Sequence, residues 1–299
     1  MFVRRHPYLF FLLATFCVFA ACVFALSFMV SVIVGAVSGA GTIETSGDRI
    51  GVVKIEGTLT DSDHIIRSLR KFAEKDSVKA VVLRVNSPGG AVAPSQEIAA
   101  EIAALRQRKN VVVSMGSVAA SGGYYVAAPA NEIFANPGTI TGSIGVIMGW
   151  ANARELLKTI GLEPVIIKSG EHKDMVSYTR DLTDEERSML KEMVDTVHSQ
   201  FVAAVATGRN MEESRVRELA DGRIFTGEKA MELGLVDDLG NFNDAIARAA
   251  ELGGIPGKPT LEYGRDPRLE WLDYLVNTTV KRLVMEMRAS AETPVPEYR

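Results

Sequence analysis

The chain has 299 residues, enough for one large domain or two small ones with a full hydrophobic core. Hydrophobic residues at 47% and charged residues at 23% lie near the globular average, which excludes a disordered or collagen-like chain. A formal charge of −4 and a pI near 5.7 leave no basic excess, which argues against a nucleic-acid partner.

The first feature along the chain is a stretch without charge. From His6 to Ile43, 38 residues pass with no Lys, Arg, Asp or Glu. Residues 8–34 are almost all Leu, Phe, Val, Ala and Ile, and about 20 such residues span a bilayer as a helix. The run is too long for a secretory h-region of about 7–15 residues, so the expectation is an uncleaved signal anchor. Ala36-Val37-Ser38 offers an alternative cleavage site, and Phe19-Ala20-Ala21-Cys22 is a poor match to a lipoprotein one. Arg4 and Arg5 precede the run, so the positive-inside tendency leaves residues 1–7 cytoplasmic and the remainder outside the cell membrane. Cys17 and Cys22 both fall within the run, and the exported part therefore has no disulfide, thiol nucleophile or Cys-based metal site. His6, His64, His172 and His198 show no zinc-binding spacing, so no metal and no cofactor is expected.

Residues 35–49 are rich in small and polar residues and read as a linker. Strands and helices then alternate. Ile50–Ile55 reads as a buried strand, Asp61–Phe72 as a helix with Ser62 as its cap, and Lys79–Val85 as the next strand. Pro94–Leu105 is expected to be helical, Val111–Met115 a strand, Ala151–Ile160 a helix and Pro164–Ile167 a strand. Repeated β-α units point to an α/β domain with mostly parallel strands. Thr183–Glu186 forms a capping box that opens a helix carrying Leu190, Val194, Val197, Phe201 and Val205 on one side. Shorter helices are expected at Met211–Ala220, Gly227–Leu233 and Asn243–Leu252, with Pro256 and Pro259 closing the domain. Residues 256–299 hold a last helix with an apolar stripe, Leu269 to Met287, and a Pro-containing tail.

Two turns follow strands directly, where parallel α/β sheets place their sites. Asn86-Ser87-Pro88-Gly89-Gly90 would turn sharply and leave amide N–H groups facing outward, which suits a developing oxyanion but equally a plain tight turn. In Gly116–Tyr125, Ser121 follows small residues, precedes Gly122-Gly123 and opens a helix. A serine there can be an N-cap. Its small flanks, the Gly122 amide and the helix N-terminus also make the surroundings of an acyl-transfer nucleophile. The base is open between His172 or His198 and a neutral Lys173; a surface lysine paired with Asp174 is the plainer reading of Lys173.

These segments, together with Thr141–Val146, Ser169–Asp174 and Gly222–Gly227, resemble in order the signal peptide peptidase A (protease IV) family, in its short single-unit branch. The resemblance implies a crotonase/Clp protease-like α/β fold with repeated β-β-α units over residues 50–255, preceded by one transmembrane helix. It implies a Ser/Lys dyad, with Ser121 as nucleophile and Lys173 as general base. Backbone amides at Gly89, Gly90 and Gly122 match the oxyanion hole, and Ser143 matches a serine that orients the lysine. It further implies a homo-oligomer, an octamer whose sites are shared between protomers. The substrates implied are remnant signal peptides and other unfolded apolar peptides at the membrane bilayer. An acyl-CoA enzyme on the same fold would need a basic site for the CoA phosphates, and neither turn contains Lys or Arg. A catalytically inactive membrane scaffold is the remaining alternative.

Overall fold

A computed structural model describes residues 8, 15–25, 27–28 and 47–264. The chain divides into two units, Met1–Gly47 and Asp48–Arg299. In the first, residues 15–25 are helical, and most of the expected anchor and linker lie outside the described residues. Among the described residues no helix is long and apolar enough to cross a membrane. The expected last helix and tail from residue 265 onward also lie outside them.

The second unit is a mixed sheet between two layers of helices. Its central strands are β1 (Arg49–Glu56), β2 (Val78–Ser87) and β3 (Asn110–Ala120), all parallel and adjacent. Helices α1 (Asp63–Glu74) and α2 (Val92–Leu105) make the two crossovers between them. Alternation along the strands feeds both faces. Val53, Ile55, Val81, Leu83, Val113 and Met115 meet Leu69, Phe72, Ile98 and Ile102 of α1 and α2. Ile50, Val52, Ala80, Val82 and Val112 meet Ala245, Ile246 and Ala249 of α8 (Phe242–Leu252) on the other face. Strands buried on both faces read as continuous apolar runs, which is why KAVVLRV was legible as a strand.

β3 is much longer than its Val111–Met115 apolar signal. It pairs with β4 (Glu132–Ala135) through Val112–Ser114 and with β5 (Ile140–Gly142) through Val118–Ala120. The early order is therefore β-α-β-α-β with α3 (Gly122–Ala127) after β3, rather than repeated β-β-α units. One continuous strand serves two successive neighbours. β6 (Ile224–Thr226) closes that edge antiparallel to β5, and β7 (Asp238–Leu239) pairs with β4.

Beyond Pro256 and Pro259, β8 (Thr260–Tyr263) adds a parallel edge strand to β1. Glu262 holds it there, meeting Arg49, Lys71 and Lys75 at 2.7 to 3.3 Å. Residues 164–167, expected as a strand, form none, and Val165 and Ile167 are almost fully exposed. A β-branched run without a neighbouring strand to pair with has nothing to stabilise its ladder. Ser62 stands at the N-cap of α1 but its hydroxyl bonds Glu97 instead of the helix. The long helix α5 (Asp184–Arg209) starts in the expected capping box and buries Leu190, Phe201, Val202 and Val205.

Leu83 sits fully buried in the middle strand. Leu83→Ala is expected to lower unfolding free energy by about 2–5 kcal/mol in a denaturant titration, through lost burial and an unfilled cavity.

Candidate active site

The site is made where β2 and β3 end. The strands stay in step to Val85 and Met115, and then β2 advances two residues to Ser87 while β3 advances four to Ala119. The extra residues bulge, and Asn86 Oδ1 accepts the Val118 N–H at 3.2 Å across the gap. The Pro88–Gly90 turn and the Ser121–Gly122 turn are thereby set against each other.

Their contact leaves no room for side chains. Gly89 has φ +96°, and a Cβ there would lie 2.5 Å from the Gly122 nitrogen and 2.9 Å from Ser121 Cβ. Gly90 bridges to Leu59, whose carbonyl oxygen would lie 2.2 Å from an added Cβ. The amides divide by partner. The Gly89 N–H donates to the buried Ser87 hydroxyl at 3.1 Å. Those of Gly90 and Gly122 donate to no protein acceptor among the described residues. Gly90 and Gly122 line a cleft of about 380 Å³ together with Ser121 and Ser143, whereas Gly89 does not. The expectation of a Gly89 donor is corrected on this point: its hydrogen is already committed, and the residue's part is to permit the close approach.

Ser121 adopts φ 53° and ψ −123°, a conformation costly for a side chain by about 1–3 kcal/mol. The backbone is pinned on both sides: Ser121 N–H donates to Gly142 O at 2.9 Å, and the Tyr125 N–H donates to Ser121 O at 2.9 Å. Its hydroxyl makes no capping bond to α3, so the N-cap explanation of this serine does not hold. Ser143 follows β5 directly, has φ 51°, and donates its N–H to Arg223 O at 2.8 Å. The cleft walls are largely apolar, with Pro88, Val92, Val146, Ile147 and Val197 beside the Tyr125–Phe201 ring pair, whose centroids are 4.9 Å apart. Asp221 also lines the cleft; Arg223 holds its carboxyl at about 2. No Lys or Arg lines the cleft among the described residues.

The three candidate bases lie off this cleft. His198 Nε2 is bonded to Ala220 O at 2.7 Å, a structural bond at the end of α6 (Glu213–Leu219). His172 is half-buried, with its Nδ1 enclosed and without a hydrogen-bond partner among the described residues. Lys173 stands on a 3-10 turn, Glu171–Asp174, exposed, and its ammonium makes no ion pair or hydrogen bond among the described residues. Its expected partner, Asp174, is bonded to Lys168 and Arg180 instead. Arg180 also reaches Glu186 in the α5 capping box. Sequence reasoning passed over Arg180; the only trace of it is an arginine evenly spaced, six residues each way, between two acids that turn out to be its partners.

The chain matches the sequence profile of peptidase family S49 over residues 103–255 and that of Clp protease over residues 47–140. The latter spans β1 to β4, and the fold is Clp protease-like α/β. A Synechocystis sp. (strain ATCC 27184 / PCC 6803 / Kazusa) chain provisionally named as a protease is 43% identical over 223 residues, 74% of this chain and 80% of that one. An Enterococcus faecium chain provisionally named signal peptide peptidase SppA is 37% identical over 285 residues, 86% of this chain and 83% of that one. Protease 4 of Salmonella typhi is 37% identical over 265 residues, which are 84% of this chain but 41% of the longer relative.

Gly89→Ala is expected to drive the two turns apart and slow acylation of Ser121 by a fluorophosphonate at least ~100-fold, read by intact-mass kinetics. A second expectation concerns acid. Glu186, hydrogen-bonded to Arg180 first and to the Thr183 amide, titrates at about 2 rather than its ordinary 4.5. A depressed carboxyl stabilises the fold fully above its unfolded value and loses that contribution as pH falls from about 4.5 towards about 2. Glu186→Gln should therefore show a smaller loss of stability between neutral pH and pH ~3 than the wild type in denaturant titrations.

Proposed function

The chain belongs to peptidase family S49 and is a serine peptidase, and from that premise we propose that Ser121 is its nucleophile and Lys173 its general base. The observation that carries the proposal is the Ser121 cleft itself. A strained serine stands beside the Gly90 and Gly122 amides in a largely apolar groove, and among the described residues neither its hydroxyl nor those amides make a hydrogen bond.

Ser121 Oγ attacks the scissile carbonyl carbon as its proton passes to the neutral Lys173 amine. The carbonyl oxygen becomes an oxyanion and takes hydrogen bonds from the Gly90 and Gly122 N–H groups, whose dipoles are held in place before the reaction. The Lys173 ammonium then returns the proton to the leaving amine; Lys173 next takes a proton from the water that attacks the acyl carbon and gives it to Ser121 Oγ as the ester bond breaks. Ser143, one residue past β5 and in the same cleft, orients the lysine amine.

Lys173 does not line the Ser121 cleft of its own chain, which supports a site completed by an adjacent protomer. Residues 147–167 support the same assembly: Ile147, Val165 and Ile167 are 88–99% exposed, an arrangement that water disfavours and a second copy would cover. The proposed form is a homo-oligomer, an octamer. The charge-free run of residues 8–34 anchors it once in the cell membrane, N-terminus inside and peptidase domain outside. Its substrates are remnant signal peptides and other unfolded apolar peptides. The apolar walls of the cleft and the signal peptide peptidase name of the Enterococcus faecium relative support that class.

The test is fluorophosphonate labelling of the assembled protein with the site located by peptide mass spectrometry. Label on Ser121 in the wild type is expected, with peptidase turnover lowered at least ~10³-fold in both Ser121→Ala and Lys173→Ala. Wild-type turnover in either variant would refute the dyad. An assembled protein with no label and no turnover would leave the scaffold alternative standing.

A further inference from the structure

A lysine that must accept a proton has to be kept from carboxylates. An opposite charge within about 4–6 Å holds an ionisable group in its charged form, and for an amine that form cannot act as a base. Lys173 is followed directly in the chain by Asp174. Left free, that carboxylate would be the natural partner of the ammonium. It is not free. Asp174 Oδ1 accepts Lys168 Nζ at 2.7 Å and Arg180 Nη2 at 2.7 Å, and Oδ2 accepts Arg180 Nε at 3.0 Å. Both oxygens are taken.

The residues that take them are themselves fixed. Arg180 donates from Nη1 to Glu186 Oε2 at 2.8 Å and from Nη2 to Glu186 Oε1 at 2.5 Å. Glu186 is only 3% exposed and is tied by Thr183 into the capping box of α5. Lys168 Nζ also donates to the Glu171 carbonyl at 2.6 Å, across the turn that carries Lys173. The other charged groups nearby do not replace Asp174. Asp181 is engaged by Asn152 and Arg154, His172 offers no negative charge, and the Glu171 carboxylate stays in water, where screening makes it a weak partner for the ammonium.

We infer that Arg180, assisted by Lys168, is a positioning residue for the base: it sequesters the Asp174 carboxylate, so that Lys173 stays unpaired and can give up its proton. This rests on Lys173 being the general base. The direction of the carboxyl's own titration agrees, since hydrogen bonds first from Arg180 and then from Lys168 hold Asp174 well below the usual carboxylate range. A purely mechanical clamp would share the geometry but not the consequence for pH. Without Arg180, Asp174 becomes available to the ammonium and Lys173 deprotonates only at higher pH. Removing the Asp174 charge as well should undo this.

The experiment is the pH dependence of kcat/KM on an apolar peptide, from mild acid to strong alkali, for the full-length protein. Arg180→Gln is expected to move the rising alkaline limb upward by about one pH unit, roughly a tenfold loss at neutral pH that is recovered in alkali. Arg180→Gln combined with Asp174→Asn should bring the limb back to its wild-type position. Lys168→Met should shift it the same way by less. Should Arg180→Gln fail to fold by thermal melting, Lys168→Met with and without Asp174→Asn carries the same comparison. A uniform loss of activity at every pH, or a shift that Asp174→Asn does not reverse, would overturn the sequestration and leave Arg180 a structural clamp. Lys173→Ala is measured alongside. Retained turnover there would overturn Lys173 as base. Lost turnover there with an unmoved Arg180→Gln limb would overturn only the role of Arg180.

Discussion

The close approach of two backbone turns underlies everything the cleft does. Gly89 and Gly122 come together at a distance that excludes any Cβ, and that contact places two unengaged amides beside the Ser121 hydroxyl. The approach depends in turn on two parallel strands ending level with each other, which the Val85–Ser87 register change and the Asn86 side-chain oxygen arrange. Behind the strands, valines and isoleucines fully buried on both faces hold the sheet rigid. A strained Ser121 survives because its neighbours over-determine it: Gly142 takes its N–H, Tyr125 takes its carbonyl, and Ser87 holds the opposing turn. Donors fixed in this way need no reorganisation when charge develops.

The half of the chain that carries Lys173 is built on a different principle. Between Ile147 and Tyr178 no large hydrophobic side chain is buried, and the segment is organised by ion pairs and turns. Arg180 is its keystone, joining Asp174 to Glu186 and so fastening the Lys173 turn to the first turn of α5. Ser121 and Lys173 thus rest on supports of unlike kind, the one on a packed sheet edge, the other on a charged clamp with apolar residues turned outward.

Much of the scaffold could be read from pattern. Continuous apolar runs in β1 and β2 and the 3.6-residue spacing in α1, α2 and α5 are direct consequences of which faces are buried. Where pattern misled, a partner was missing or unforeseen. Val165-Ile166-Ile167 looks like a strand and is none, because no strand lies alongside it. Gly116 to Ala120 does not look like a strand and is one, because β5 and the Asn86 side chain supply its ladder. Thr260–Tyr263 follows two prolines and carries a glutamate, yet it pairs with β1 because Arg49, Lys71 and Lys75 accommodate that charge. Ser62 had the right identity for a cap, and a nearby glutamate on α2 outcompeted the helix for its hydroxyl.

By itself the sequence determined the composition of the site: a serine before two glycines, a Pro-Gly-Gly turn after a strand, and a lysine after a glycine turn. The glycines and the proline among them are needed wherever the backbone must bend sharply or come close to itself, so those turns show in the sequence. Only the tertiary structure decided which groups are available. It committed the Gly89 amide to Ser87 and left those of Gly90 and Gly122 open. It tied His198 to a helix end and gave Asp174 to Arg180 instead of its neighbour Lys173. Whether a donor, a carboxylate or an amine is free depends on what lies within about 3 Å of it, and such contacts join residues far apart in the chain.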